Sequence, residues 1–567
     1  MAGQRLDATQ AVRFLQAQRL LQAGQPAEAL RIAAALSSEV PRAADAWQLL
    51  GMCLAANDRP GEADSAFQRA LALLPDNPVL ARNYGVFLAR YGRTLRVQGE
   101  LESAEQVLRR ALALREAPLS VWIDLGTVLR SLGRIDEALE AYRHAELLTA
   151  QRGEPLPEVQ DAINGVLADA GRTAEALAGA RKLVAAHPAH AAGHETLSHL
   201  LWENGAELAP GEDPLAEFRT AAAAQPGNRA LQLAFTRMLL ATRRPEEALA
   251  VLKPLRHRDP DDPVLAWFAA DAQDALRHHA EAGALYAAAS RTSLGALPAF
   301  LNARARHAFR CGDVELAQRC AGQAVAQAPD DQDAWSLLGL AWRLTANEKE
   351  HWLCDYETLV GYMAIDPPPG FGDLEDFLQE LAEALHPMHN ASREPVSQSV
   401  RGGTQTAGRL FGRDVAVIGA AESALRAAVE RWLSVLPDDP SHPFLSRKQG
   451  GVRFVGSWSV RLNASGHHSN HIHSSGWASS AFYVALPRHV FAGDDPGHAG
   501  WIQFGQPLED LGLDLPPRRV IRPRPGHLAL FPSYLWHGTV PFEDTEPRLT
   551  IAFDMQPSTR RGTAGGV

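Results

Sequence analysis

Several things are scarce in this chain. Of its 567 residues only four are cysteine (Cys53, Cys311, Cys320 and Cys354) and only four are lysine. No two cysteines stand as CxxC. Neither a disulfide framework nor a cysteine metal site is therefore expected; buried free thiols are. No apolar run approaches the roughly 18 residues a membrane span needs. The N-terminal stretch MAGQRLDATQAVRFLQ lacks the basic start and apolar core of a signal peptide, so the expectation is a cytoplasmic protein with no membrane partner. Positive charge is in deficit, with 55 Lys and Arg against 66 Asp and Glu and a net charge of −11. That balance argues against a nucleic-acid partner, which needs a basic face. There is no GxSxG nucleophile elbow and no HExxH helix. With 46% hydrophobic and 21% charged residues, disorder is excluded as well.

What is abundant is small apolar residues in a recurring order. Trp47, Leu50, Gly51, Ala63, Phe67, Ala70 and Pro75 return as Trp122, Leu125, Gly126, Ala138, Tyr142 and Ala145. The two tryptophans are 75 residues apart, two 34-residue periods and a seven-residue insertion, with Gly85 in register before the insertion and Ala104 after it. Further copies are marked by Ala176 and Pro188, by Ala248 and Pro260, by Ala282 and Tyr286, and by Ala317 and Pro329; Trp335, Leu338 and Gly339 open a partial one. Residues 190–226 read as an irregular copy. Small residues let the two helices of a hairpin approach, large ones fill the space between hairpins, and the prolines end second helices. One hairpin cannot bury its apolar side alone, so hairpins must stack. The pattern resembles the tetratricopeptide repeat over residues 9–345. That resemblance implies an all-α solenoid whose concave face binds a protein or peptide, and it specifies no chemistry and no oligomeric state.

Near residue 350 the 34-residue register stops, and DPPPGF at 366–371 punctuates the chain. Helices are predicted over 373–385 and 420–436. From about Gly451 the apolar period becomes two, in VRFVGSWSVRL, AFYVALP, HLALFPS and RLTIAF. Short strands between Gly, Pro and Asp turns predict a β-sandwich or barrel. The expected fold is thus α + β and multidomain, with a solenoid over 9–345 and a β domain with flanking helices over 350–560.

Histidines cluster in the β region at His467, His468, His471 and His473, with His537 far downstream. Read as a strand, 471–473 places the His471 and His473 imidazoles on one face. Two imidazoles so placed suit a transition metal, and a third ligand such as His537 would close one side of its coordination sphere. Arg548 follows eleven residues later, and a buried guanidinium there requires an anion that its fork can grip, such as a carboxylate.

The stretches SVRGGTQT (399–406), GSWSVRL (456–462), NHIHSSGWASSAFYVALP (470–487), GWIQFGQP (500–507), LALFPSYLWHGTVPF (528–542) and RLTIAFDMQP (548–557) together resemble the Fe(II)/2-oxoglutarate dioxygenase superfamily. They look like its family in which tetratricopeptide repeats precede the oxygenase. The resemblance implies a double-stranded β-helix, or jelly-roll, and an oxidoreductase that hydroxylates its substrate with Fe(II) and 2-oxoglutarate, the repeats recruiting a macromolecular substrate. It implies metal ligation by His471, His473 and His537, and a 2-oxoglutarate carboxylate held by Arg548 and Tyr483. His473 stands where most of the superfamily has Asp or Glu. Three imidazoles also suit zinc, so the alternatives are a non-catalytic zinc-binding scaffold or sensor, and a cupin-like metal enzyme that does not use 2-oxoglutarate. Asp494 and Asp495 are candidate replacement carboxylates, and His468 is an alternative proximal ligand. Arg401, Thr404 and Gln405 read either as a polar loop contacting substrate at the barrel mouth or as a plain turn. Trp458, Trp477 and Trp501 read as barrel packing.

Overall fold

The computed structural model describes residues 4–114, 118–153, 155–396, 398–492 and 496–558. Compactness divides the chain into two units, Met1–Val159 and Gln160–Val567. No helix among the described residues is long and apolar enough to cross a membrane.

The first unit is made of helical hairpins, among them Ala44–Ala56 with Pro60–Leu73, Pro78–Val97 with Leu101–Leu112, and Leu119–Ser131 with Ile135–Gln151. The repeat glycines matter because a large ring lies directly against them. A Cβ on Gly51 would sit 2.8 Å from the Phe67 ring, and one on Gly126 would sit 2.9 Å from the Tyr142 ring. Pro60 and Pro78 open helices, where proline's missing N–H costs nothing. The Asn77 side chain caps Pro78–Val97 by accepting from the Val79 and Leu80 amides. The seven-residue insertion turns out to lengthen a helix. Pro78–Val97 has 20 residues, where Ala44–Ala56 and Leu119–Ser131 have 13. Gly92 on that helix is in close approach, since its Cβ would meet Leu108 at 2.7 Å.

The second unit begins with further hairpins, whose first helices Arg229–Ala241, Pro263–Ala275, Pro298–Arg310 and Gln332–Leu344 each have 13 residues. The irregular copy pairs an 18-residue helix, Ala191–Leu208, with a nine-residue one, Ala216–Ala224. Then follow strands β1 (Gly361–Ala364), β2 (Val400–Gln405), β3 (Val452–His468), β4 (Ala478–Ala485), β5 (Ile502–Phe504), β6 (Arg519–Ile521), β7 (His527–Pro532), β8 (His537–Thr539) and β9 (Arg548–Pro557). The helices expected over 373–385 and 420–436 are Leu374–Leu385 and Ala416–Val435.

The strands form two antiparallel sheets, β1-β7-β4-β9-β3-β2 and β6-β5-β8. From β3 onward the chain passes back and forth between them. After β3 it bridges β8 at His471, returns for β4, crosses for β5 and β6, returns for β7, crosses for β8 and ends in β9. This is the jelly-roll wrapping expected of a double-stranded β-helix. One hydrophobic core runs from the last repeats into the sheets, so Leu337 and Ala341 share it with Phe531 and Leu549. Arg343 Nη1 donates to the Gly505 carbonyl at 2.6 Å, and Trp536 Nε1 to the Ser336 carbonyl at 3.4 Å. The last repeat thereby braces the segment that carries His537. Of the cysteines, Cys53, Cys320 and Cys354 are buried; Cys311, against expectation, is exposed because it lies at a helix C-terminus.

Candidate metal centre

The backbone brings the distant histidines together. His471 and His537 form an antiparallel bridge, each amide donating to the other's carbonyl at 2.9 and 3.0 Å. The segment 471–473 is held by this bridge and by the His473 amide on the Ser533 carbonyl, and is not a continuous strand. Ring centroids lie 4.2 Å apart for His471 and His537, 5.1 Å for His473 and His537, and 5.0 Å for His471 and His473. A ligand-capable nitrogen from each lies within 4.8 Å of the others.

The hydrogen bonds around the rings assign their protons. His471 Nδ1 is 2.8 Å from the Ser469 carbonyl, His537 Nδ1 is 2.9 Å from the Leu535 carbonyl, and His473 Nδ1 is 2.6 Å from Asp554 Oδ1. Each partner is an acceptor, so each Nδ1 carries the hydrogen and each Nε2 is left with a lone pair. Burial, reinforced by the His473 imidazole, pushes the His471 pKa down to about 3. Burial and the His471 ring hold His537 well below the usual histidine range. Neutral imidazoles are the ligating form. The His471 and His473 Nε2 atoms are only 3.1 Å apart, close enough to share one cation. The donor set fits a divalent transition metal.

Asp554 was not among the residues that sequence reasoning singled out. It is 8% exposed, and it also accepts from Ser479 Oγ at 2.7 Å. Its charge lies against the far side of His473, an arrangement that orients an imidazole and raises its basicity toward a metal. The signal was available in the strand period. Arg548, Thr550, Ala552 and Asp554 alternate along β9, and all four line one cavity of about 500 Å³ together with His471, His473 and His537.

Arg548 is 3% exposed in that cavity, and its Nη1 donates to the Gly500 carbonyl at 2.6 Å. Its guanidinium carbon lies 5.2 Å from the centre of the buried Tyr483 ring. Burial lowers the Arg548 pKa and raises that of Tyr483 to about 12. Apart from their interaction with each other, neither Arg548 Nε nor the Tyr483 hydroxyl finds a hydrogen-bond partner among the described residues. Two buried, under-satisfied donors side by side fit a carboxylate, since leaving them so is costly.

The stretch 401–405 is not a loop. It is edge strand β2, paired on one side with β3 through Thr404 opposite Arg461 and Gln405 opposite Val460, with a bulge between Arg401 and Gly403. Gln405 lines the cavity; Arg401 Nη1 instead donates to the Gln398 and Val400 carbonyls, and Thr404 Oγ1 meets His389 Nδ1 at 3.0 Å. His468 is on the cavity wall but outside the three-histidine group; its Nδ1 is 3.0 Å from Ser399 Oγ, which is itself 3.2 Å from His471 Nε2. Trp477 is core, stacked on Phe444, whereas Trp458 lines the cavity and stacks on His473. Asp494 and Asp495 lie outside the described residues.

Comparison with known proteins agrees with this division of labour. Residues 456–554 match the family described as "Putative 2OG-Fe(II) oxygenase". Residues 14–78, 91–155, 302–349 and 215–272 match tetratricopeptide-repeat models. The chain therefore joins tetratricopeptide repeats to a domain of that oxygenase family. Among solved structures it is similar to a tetratricopeptide repeat protein from Parabacteroides merdae, with 18% identity over 46% of this chain and 98% of that one and a TM-score of 0.32. It is also similar to YrrB, described as a TPR protein with an unusual peptide-binding site, with 20% identity, 35% and 94% coverage and a TM-score of 0.27. A third is pilF of Pseudomonas aeruginosa, with 19% identity, 40% and 96% coverage and a TM-score of 0.27. No curated protein matches the chain.

Proposed function

We propose that the protein is an Fe(II)- and 2-oxoglutarate-dependent oxygenase, a hydroxylase whose repeats recruit a protein or peptide substrate on their concave face. The observation that carries this reading is that three converging imidazole lone pairs share one cavity with a buried, incompletely paired arginine. His471, His473 and His537 would hold the metal, which with 2-oxoglutarate and O2 supplies the oxidising power for attack on a substrate C–H bond. Arg548 binds the distal carboxylate of the cosubstrate, and the Tyr483 hydroxyl donates to the same carboxylate. Asp554 keeps the proton on His473 Nδ1, so that Nε2 faces the metal position. Phe531, with its ring centre 4.5 Å from that of His537, and Trp458, stacked on His473, each pack against one of the rings.

The all-imidazole set favours a second reading, a zinc-bearing scaffold or sensor. One experiment separates the two. Succinate formed from 2-oxoglutarate with Fe(II) is measured for the parent and for Arg548→Ala, together with bound metal. Succinate in the parent, abolished in Arg548→Ala at near-normal metal content, supports the oxygenase. Succinate from the variant at the parent rate refutes the carboxylate anchor, and tight zinc with no response to 2-oxoglutarate supports the scaffold.

A further inference from the structure

Ser399 reaches the metal cavity at the end of a segment that is moored on the repeats. The Ser392 amide and hydroxyl both donate to the Glu203 carbonyl at 3.0 Å, and Trp202 Nε1 donates to the Glu394 carbonyl at 3.1 Å. The Arg393 guanidinium lies 3.7 Å from the centre of the Trp202 ring. Val396 is buried in a repeat core with Phe218 and Phe235. Ser397 lies outside the described residues. Beyond it the Ser399 carbonyl accepts from the Ser469 amide at 2.9 Å and from Ser469 Oγ at 3.2 Å, and Val400 pairs with His468 where β2 begins. Held from both sides, the Ser399 side chain has a set place on the cavity wall.

The hydrogens on its neighbours decide what that hydroxyl does. His471 Nδ1 carries the hydrogen that meets the Ser469 carbonyl, so His471 Nε2 has none. In the 3.2 Å contact between Ser399 Oγ and His471 Nε2 the serine is therefore the donor. Its one hydrogen is then in use, and in the 3.0 Å contact with His468 Nδ1 its oxygen accepts. A metal that takes the His471 lone pair displaces the serine's bond. The O–H is then left beside the ion, where an unmatched donor is unfavourable. The charges of the site indicate its next acceptor. Three neutral imidazoles, with the single carboxylate of Asp554 behind them, leave one charge of a divalent ion unbalanced, which favours an anionic oxygen.

We propose that Ser399 is a positioning residue of the three-histidine centre: its hydroxyl yields His471 Nε2 to the metal and donates instead to a carboxylate oxygen of an acid bound beside it. His468 acts through the serine, by donating to its oxygen and so strengthening the O–H as a donor. The proposal rests on the oxygenase reading and extends it. A 2-oxo acid would be held at both ends, one carboxylate on Arg548 and Tyr483 and the other on Ser399. Because the serine is carried by the moored segment, the repeat helix Ala191–Leu208 takes part in placing it.

The test is the visible spectrum of cobalt(II) bound to the full-length protein without oxygen, titrated with oxalate, an acid with no carbon chain between its carboxylates. The parent spectrum should shift. Ser399→Ala should bind cobalt at least as tightly as the parent, because it removes a competitor for the His471 lone pair. The same variant should bind oxalate about tenfold more weakly, or worse, having lost a hydrogen bond to a charged group. Ser399→Thr keeps the hydroxyl and should stay near the parent. No response to oxalate in the parent, unchanged oxalate affinity or weaker cobalt binding in Ser399→Ala, or an equal loss of oxalate affinity in both variants overturns the proposal. Titration with 2-oxoglutarate runs beside it. A shift with oxalate and none with 2-oxoglutarate refutes the oxygenase reading, while the oxalate comparison still decides the role of Ser399.

Discussion

Asp554→Asn isolates the charge behind His473 from the shape of the site. The amide has the size of the carboxylate, and its oxygen still accepts from His473 Nδ1 and Ser479 Oγ, now 2.6 and 2.7 Å away. What is lost is the negative charge on a hydrogen bond that is short and 8% exposed, and so little screened. A hydrogen bond to a charged partner contributes about 1.5–3 kcal/mol, against about 1 kcal/mol for a neutral one. The difference, about 0.5–2 kcal/mol, predicts a loss of metal affinity of roughly 2–30-fold, overlapping the range seen for outer-partner mutations at other metal sites. The assay is competition for Fe(II) or Co(II) against a chromophoric chelator, run beside thermal unfolding of the metal-free protein. The variant should unfold near the parent temperature yet bind metal more weakly. Asp554→Ala should be worse on both counts, because it leaves two buried donors without an acceptor. An affinity for Asp554→Asn within about twofold of the parent would falsify the argument that this carboxylate tunes His473.

Three further predictions concern stability. Gly51→Val places a branched side chain where a Cβ would already be 2.8 Å from Phe67, and should cost about 1–3 kcal/mol in urea unfolding. Gly205→Ala, within Ala191–Leu208 and with nothing within 4 Å of its Cβ, should gain about 0.5–1 kcal/mol; a loss there would contradict the packing described. Burial pushes the Glu203 pKa up to about 7, whereas in the unfolded chain a glutamate ionises near ~4.3. Between those values the folded form holds a proton that the unfolded form has lost, so this residue's contribution makes stability fall as pH rises through the window. Glu203→Gln should therefore raise the urea midpoint at pH 8 relative to the parent and leave it nearly unchanged at pH 4; an equal effect at both would rule out titration as the cause.

The solenoid was legible because its information is local. Gly51 with Phe67, Gly126 with Tyr142, and proline after a second helix are short-range constraints that recur at one spacing, so the chain declares them wherever it is read. The alternation in β3, β4, β7 and β9 is local in the same way. Spacing also singled out His471, His473, His537 and Arg548, but it could not bring His471 beside His537. A bridge between residues 66 apart in the chain does that, and it exists because the β segment wraps between two sheets. Register likewise made 401–405 an edge strand: it depends on which backbone groups β3 leaves free, and Gly402 and Gly403 permit a strand as readily as a loop. Asp554 became interesting only with its neighbours in view, since an aspartate in a strand carries no signal alone. The sequence by itself determined the kinds of element and the residues with the chemistry to hold a metal. Tertiary structure decided which of their nitrogens converge and which carboxylates stand behind them, because those distances depend on how separate elements pack and not on the order of residues along any one of them.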